Sequence, residues 1–367
     1  MSRIKFGVCG LGRIGSRHAE FFAREKDKYE LVAVCDMDAQ RAAESAEKHN
    51  CAGYSDYAEF LRNPLMELTI ISTRSLDHVS NTSDALSAGK TVLLDKPIAV
   101  TSADFRRLKE LEKNYRGKLF FLHNVRFNPV FQTILRIVDS GILGETKLVK
   151  IRRHHGFSRR CDWQTLLNCG GGQLSCWGPH VIDQGLQLIN APVKQIWGHL
   201  QRVNSCGDAD DLVKIMLVGG NGVVADLEIS YMAALREDYC TVYGNRGTLV
   251  CANDFNKDAA VKVKYLDPSF EFADRQANEG DPVTMVGQGF SSGESFPWIE
   301  EEIKVEPAGS PPDMWETGLL LALHKALRED VPFPVTTEHA FEVVRITGEV
   351  KKQNPQFNWI SPYQRTT

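Results

Sequence analysis

The residues best suited to proton chemistry fall in one stretch, Gly170-Gly171-Gly172-Gln173-Leu174-Ser175-Cys176-Trp177-Gly178-Pro179-His180-Val181-Ile182-Asp183. Glycines let backbone pass close to a ligand, because no Cβ blocks the approach. Pro179 suits the opening of a helix, where its missing N–H is one that the helix start leaves unpaired. His180 then falls in the first turn, and a neutral imidazole there is a candidate proton acceptor near pH 7. A second group is Lys96, in Asp95-Lys96-Pro97 at the end of an apolar run. Its ammonium can hydrogen-bond a reacting oxygen and stabilise alkoxide character on it. Together the two groups suit removal of a proton from a hydroxyl, with the charge left on oxygen held in place.

Such groups need a frame. Ile4–Cys9 reads as a short buried strand and leads at once into Gly10-Leu11-Gly12-Arg13-Ile14-Gly15 and a helix-like segment through Phe22. A second strand, Leu31–Cys35, ends in Asp36, about 20 residues beyond the glycines, as a dinucleotide-binding fingerprint requires. Gly10 makes the tight turn, Gly12 admits the pyrophosphate, and Gly15 lets helix and strand pack closely. The free N–H groups of the helix start face the phosphates. Asp36 would accept hydrogen bonds from the adenine ribose, and its charge repels a 2′-phosphate, so NAD is expected rather than NADP. Six strands alternating with helices are expected, with Leu68–Ser72, Thr91–Leu94 and Leu119–Leu122 among them. The fold class is therefore α/β, with an N-terminal Rossmann doubly wound parallel sheet. Ligands bind at the carboxyl ends of such strands, where Thr73, His78, Lys96 and His123 lie.

From about Lys147 the pattern changes to longer strands, at Leu148–Arg153, Lys194–Leu200, Asp211–Leu217, Val223–Ser230, Tyr239–Tyr243 and Thr248–Cys251. Short turn-like connections predict a C-terminal α+β domain with an open, mainly antiparallel sheet covered by helices on one face. The expected division is residues 1–123, binding NAD, and 124–367, binding substrate. A polar stretch, Asp267–Ser295, reads as a loop or extended hairpin. Helices follow at Pro312–Arg328, with the substrate domain, and Glu338–Lys351, packing back toward the first domain.

The 367 residues carry a net charge of -4, which argues against a nucleic-acid partner. A mean hydropathy of -0.27 and the absence of any long apolar run argue against a membrane span. The N-terminus enters a strand directly, and a cytoplasmic location is expected. The nine cysteines include no Cys-x-x-Cys, and reduced thiols are expected. His154, His155, Cys161, Cys169, Cys176 and His180 match no common ligand spacing, so no metal is expected. Arg152, Arg153, Arg159 and Arg160 form a basic cluster, read as a solvated or interface face before a site for an anionic sugar.

Several motifs together resemble the Gfo/Idh/MocA family of NAD(P)-dependent oxidoreductases over nearly the full length. They are Gly10–Gly15 with Asp36, Ser72–His78, Asp95-Lys96-Pro97, Asn124–Pro129, Trp163 and Gly170–Asp183. The resemblance implies a cofactor site of Gly10, Gly12, Arg13, Ile14, Gly15, Asp36, Thr73, His78, Asp95, Lys96, Asn124 and Trp163. It implies a substrate site of Lys96, Arg126, Trp163, Cys176, His180 and Asp183, with Lys96 and His180 catalytic. A homo-oligomer, dimer or tetramer, is also implied. Cys176 stands where the family usually carries aspartate, and a thiol with a pKa of about 8.5 is no fixed carboxylate. No obvious cation flanks Cys176 in sequence, so it reads as a packed thiol.

The expected activity is hydride transfer between NAD and a hydroxyl or keto carbon of a sugar or cyclitol. Two alternatives stand beside it. One is a redox-neutral NAD-dependent glycoside hydrolase working by transient oxidation and elimination. The other is a non-catalytic NAD-binding regulator.

Overall fold

The computed structural model describes residues 2–254, 259–274, 294–305 and 313–358. The first half builds β1 (Ile4–Cys9), α1 (Arg13–Arg24), β2 (Tyr29–Cys35), α2 (Ala39–His49), β3 (Ala52–Tyr54), α3 (Tyr57–Leu61), β4 (Leu68–Ile71), α4 (His78–Ser87), β5 (Thr91–Leu94), α5 (Ser102–Asn114) and β6 (Leu119–Phe121). The sheet order is β3-β2-β1-β4-β5-β6, all parallel. Parallel strands covered on both faces must be apolar throughout, and β4 and β5 are buried at every position. The strand order reverses between β1 and β4, so a crevice opens at their carboxyl ends. The strand that sequence patterning left unplaced is β3, a three-residue edge strand, too short to show alternation.

The second half runs α6 (Pro129–Asp139), β7 (Thr146–His154), α7 (Gln173–Cys176), α8 (Gly178–Ile189), β8 (Val193–Gln201), β9 (Leu212–Gly219), β10 (Val224–Ser230), β11 (Cys240–Gly244), β12 (Gly247–Cys251), β13 (Ala260–Leu266), β14 (Trp298–Lys304), α9 (Asp313–Arg328) and α10 (Thr337–Gln353). The order is β14-β13-β12-β11-β7-β10-β9-β8, with only β7 and β10 parallel. Six of its strands match the expected ones, while β13 and β14 add an edge hairpin. Three consecutive glutamates in β14, Glu300–Glu302, hide its strand character. Residues 275–293 of the expected polar loop lie outside the described residues.

Strand alternation gives this sheet an inner face that packs on α6, α8 and α10. Val130, Phe131 and Ile134 from α6 meet Ile182 and Ile189 from α8 and Ile346 and Val350 from α10 in one core. The helix α9, expected with this domain, instead lays Leu319, Leu320 and Leu323 into the core of the first sheet. Burying each such side chain contributes about 1.5–3 kcal/mol before entropy is subtracted. The Tyr29 hydroxyl donates to the Leu320 carbonyl at 2.7 Å, which sets the helix against β2. The helix α10 reaches both cores, through Ala340 on one side and Val343 on the other. No helix of the described residues is long and apolar enough to cross a membrane.

Candidate active site

The turn from β1 into α1 shows why its glycines are needed. Gly10 sits at φ +88°, and a Cβ there would lie 2.5 Å from the Ser72 carbonyl oxygen. A Cβ on Gly15 would fall 1.7 Å from the Gly10 carbonyl oxygen, so the helix rests directly on the turn. A Cβ on Gly12 would meet nothing within 4 Å. Gly12 caps α1 without any side-chain hydrogen bond, so the first N–H groups of the helix have no side-chain cap among the described residues. That open space beside those N–H groups is a place for phosphate.

Asp36 closes the other side. Its Oδ2 accepts from the Leu11 N–H at 2.7 Å, and its Oδ1 accepts from the Asp38 N–H at 2.9 Å and from Arg41 at 3.1 Å. These bonds fix the carboxylate at the lip of a cavity of about 740 Å³ lined by Gly12, Arg13, Asp36, Thr73, Arg74 and Trp163. Open glycine, free helix start and buried acid fit a dinucleotide.

Arg13 also borders a second cavity, of about 560 Å³, which receives Lys96 and His180 from opposite halves of the chain. His180 is held in the first turn of α8, with Pro179 beside it at the helix start. The backbone N–H of Lys96 donates to Asp95 Oδ1 at 2.7 Å, and its ammonium has no partner among the described residues. Burial, then the charges of Lys96 and His123, holds the His180 imidazole well below its usual pKa. The imidazole is therefore held in its neutral form. Its Nδ1 is buried without a partner among the described residues. His123 packs edge-on against it at 6.5 Å, and burial and nearby cations push its pKa down to about 4.

Behind Lys96 lies a buried charge cluster. His18 stands 3.6 Å from Asp95 and 3.8 Å from Glu316. Burial opposes charge on both His18 and Asp95, but Glu316 and then Asp95 raise the histidine, while His18 and then Lys96 lower the acid. Glu316 accepts from the Asn124 amide at 2.8 Å. This cluster fixes the loop that carries Lys96, and Asn124 and Ile14 line the same cavity.

Other expected site residues lie elsewhere. Arg126 and Asp183 form a buried bidentate pair, and Arg126 also donates to the Pro334 carbonyl at 2.6 Å. With its donors spent on protein, Arg126 faces neither cavity, and Asp183 is 1% exposed. Both ring nitrogens of His78 meet carbonyls, those of Pro97 at 2.9 Å and Thr73 at 3.1 Å, so it ties two loops together. Trp163 lines the cavity beside Gly12 and Asp36 but not the one with Lys96. The glycine triplet serves packing rather than ligand approach. A Cβ on Gly171 would lie 2.4 Å from the Gln164 carbonyl oxygen, and one on Gly172, at φ +103°, would lie 2.1 Å from Asp210 Oδ1.

Cys176 does line the cavity, and it has a cation beside it: Arg160 Nη1 donates to its sulfur at 3.2 Å. That contact spans 16 positions in the chain, which is why sequence neighbours do not reveal it. The expectation of reduced thiols fails for one pair, since Cys161 and Cys206 form a disulfide while seven cysteines stay free. The pair joins the segment bearing Arg159 and Arg160 to a loop distant in sequence. The arginine cluster itself divides. Strand alternation sends Arg152 to the outer face, onto Asp226 and Glu237, and Arg153 inward onto Asp254. Arg159 and Arg160 line the cavity.

Sequence reasoning passed over His18, Glu316 and Trp315. A buried acid in an apolar helix, Glu316 in α9, was the available signal.

The profile of an oxidoreductase family with an NAD-binding Rossmann fold matches residues 4–123. That of a GFO/IDH/MocA C-terminal domain matches residues 131–250. An inositol 2-dehydrogenase of Salmonella typhimurium is 33% identical over 250 residues, covering 66% of this chain and 72% of that protein. A trans-1,2-dihydrobenzene-1,2-diol dehydrogenase of Bos taurus is 26% identical over 318 residues, covering 83% and 90%. The crystal structure of an NAD-binding protein from Listeria innocua superposes with a TM-score of 0.76 at 22% identity, covering 96% of each chain.

Proposed function

This chain belongs to the Gfo/Idh/MocA family of NAD-binding oxidoreductases, and from that premise we propose that it interconverts a CH–OH group of a sugar or cyclitol and the corresponding ketone. The observation that carries the reading is the meeting of Lys96 and His180 on one cavity that joins the dinucleotide cleft at Arg13. When bound there, the nicotinamide cofactor accepts or returns the hydride. The protein's part is proton and charge management. Lys96 donates a hydrogen bond to the reacting oxygen and stabilises alkoxide character on it. His180, held neutral, takes the hydroxyl proton. The His18–Asp95–Glu316 cluster orients the Lys96 loop, while Trp177 and Trp315 supply apolar walls that exclude water. A polyol fits the mixture of apolar rings and separate polar groups. The inositol and dihydrodiol dehydrogenases among the relatives support a ring alcohol.

Gly12, Arg13 and the start of α1 hold the pyrophosphate, and Asp36 the adenine ribose. The anchored carboxylate favours NAD over NADP. Arg41, at 3.1 Å, softens the repulsion of a 2′-phosphate without removing the acid.

Replacing Lys96 by Ala tests the assignment. Loss of one such donor at a developing charge costs about 10²–10³ in turnover, with NAD affinity held near wild type. Undiminished NADH formation with a ring-alcohol substrate in that variant would exclude Lys96 from the reaction.

A further inference from the structure

The cavity that holds Lys96 carries more positive charge than the proton chemistry uses. Its basic lining residues are Arg13, Arg17, Lys96, Arg159 and Arg160, against Asp95, Asp162 and Glu316. The acids are already engaged. Asp162 accepts two hydrogen bonds from Arg160, both at 2.8 Å. Asp95 and Glu316 flank His18. Arg13 borders the dinucleotide cleft as well, beside the open Gly12, and has the pyrophosphate to answer. Lys96 belongs to the reacting oxygen. Two cations remain without an acidic partner among the described residues. Arg17 rests over the Phe21 ring at 5.5 Å, and Arg159 donates through Nε to the Asn204 carbonyl at 3.0 Å.

That single bond orients Arg159. It fixes the guanidinium plane at the rim and leaves both Nη groups unspent among the described residues. The disulfide at Cys161 anchors the segment two residues along, and the Cys206 N–H donates to the Arg160 carbonyl at 3.2 Å. The neighbouring wall is His155, stacked on Tyr231 at 4.1 Å, with a buried Nε2 that has no partner among the described residues. Burial first, then the charges of Arg153, Arg236 and Arg160, push its pKa down to about 3. Burial, with those charges, keeps His155 neutral, and the Arg159 guanidinium lines the same cavity. A neutral polyol answers none of that excess charge; a planar or tetrahedral anion answers it with charge-assisted hydrogen bonds.

We propose that the substrate of this cavity is an acidic ring alcohol, whose anionic group, carboxylate or phosphate, docks on Arg159 while a ring hydroxyl meets Lys96 and His180. This deepens the reading of the site given above and rests on it.

The test compares compounds that share one pyranose ring and differ at C6: D-glucose, D-glucuronate and D-glucose 6-phosphate, each with NAD and the full chain. NADH formation gives kcat and KM, and calorimetry on the NAD-loaded protein gives sugar binding independently of turnover. The expected result is a kcat/KM at least about tenfold higher for one acidic compound than for glucose, falling as salt rises. The compound preferred identifies the anion as carboxylate or phosphate. Arg159→Gln raises its KM about tenfold or more and moves kcat by less than about threefold, the pattern of lost uniform binding, and Arg159→Lys restores part of it. Equal or faster oxidation of glucose overturns the anion and leaves the oxidoreductase reading standing. Calorimetric binding of an acidic compound that Arg159→Gln abolishes, without turnover of any, supports the anion and sinks the reaction. Absence of both binding and turnover overturns both.

Discussion

Gly12 and Gly15, at the cap and in the first turn of α1, make a paired test, because they differ in what a methyl group would meet. At Gly12, with φ -67° and ψ -173°, alanine is sterically comfortable, and its Cβ touches nothing within 4 Å. Losing glycine at a helix N-cap costs up to about 1 kcal/mol. Restricting the unfolded chain returns about 0.4–1 kcal/mol. Gly12→Ala should therefore leave the stability of the free protein nearly unchanged. The same methyl occupies the space proposed above for the pyrophosphate. Displacing one charge-assisted hydrogen bond is worth about 1.5–3 kcal/mol, roughly 10- to 150-fold in Kd. At Gly15 the Cβ would overlap the Gly10 carbonyl oxygen at 1.7 Å, so α1 must move off the turn. Overpacking of that kind costs about 3 kcal/mol or more. Thermal unfolding with and without NAD, beside an NAD titration, separates the cases. Gly12→Ala keeps its Tm but loses the stabilisation by NAD, while Gly15→Ala loses Tm even without it. Wild-type NAD affinity in Gly12→Ala would refute the placement of the cofactor in this cleft.

Two other perturbations probe the groups between the halves of the chain. Arg126→Met leaves Asp183 buried and unpaired, which costs about 3–5 kcal/mol; urea unfolding checks this, and a KM effect with unaltered stability would return Arg126 to the substrate site. Acid should destabilise the fold through His123, which is 1% exposed and held to a pKa of about 4 by burial and the charges of Arg126 and Lys96. The unfolded histidine titrates near 6.5, so the unfolded state takes up the proton first and stability falls as pH drops from about 6.5 to about 4. By pH 5 the loss from this one residue is about 2 kcal/mol. Burial raises Asp210 to about 6, an opposing effect, so the reading is the difference between wild type and His123→Gln at pH 7 and pH 5. An unchanged difference in stability across that range would remove His123 as the cause.

The first sheet was legible in the chain because its demands are local. A parallel strand buried on both faces must be apolar, a tight turn must have glycine, and the acid at the end of β2 lies a fixed distance along. The three-residue β3 escaped because alternation needs length to show. The docking of α9 escaped for a different reason. Its apolar face, with Leu319, Leu320 and Leu323, suits either core equally well. What decides is the Tyr29 hydroxyl meeting the Leu320 carbonyl across 291 positions, which no local pattern encodes.

The site divides along the same line. Lys96 and His180, which the structure brings to one cavity, could be singled out in the chain because each sits at an element boundary with a proline beside it. Arg126 and Asp183 looked equally functional, yet an arginine and an aspartate able to reach each other within a dry core will pair before they reach a ligand. The four arginines show how one rule recovers part of what is hidden. Arg152 and Arg153 occupy successive positions of β7, so they must face opposite sides of the sheet, and only one could ever have looked toward the helices. Arg159 and Arg160 lie beyond the strand, where alternation no longer constrains them. Their destination is set by Cys206 and Asn204, more than forty residues away. The charge that reaches the cavity is therefore the charge that β7 does not hold. A sum over the cluster misses this, and a reading strand by strand finds it.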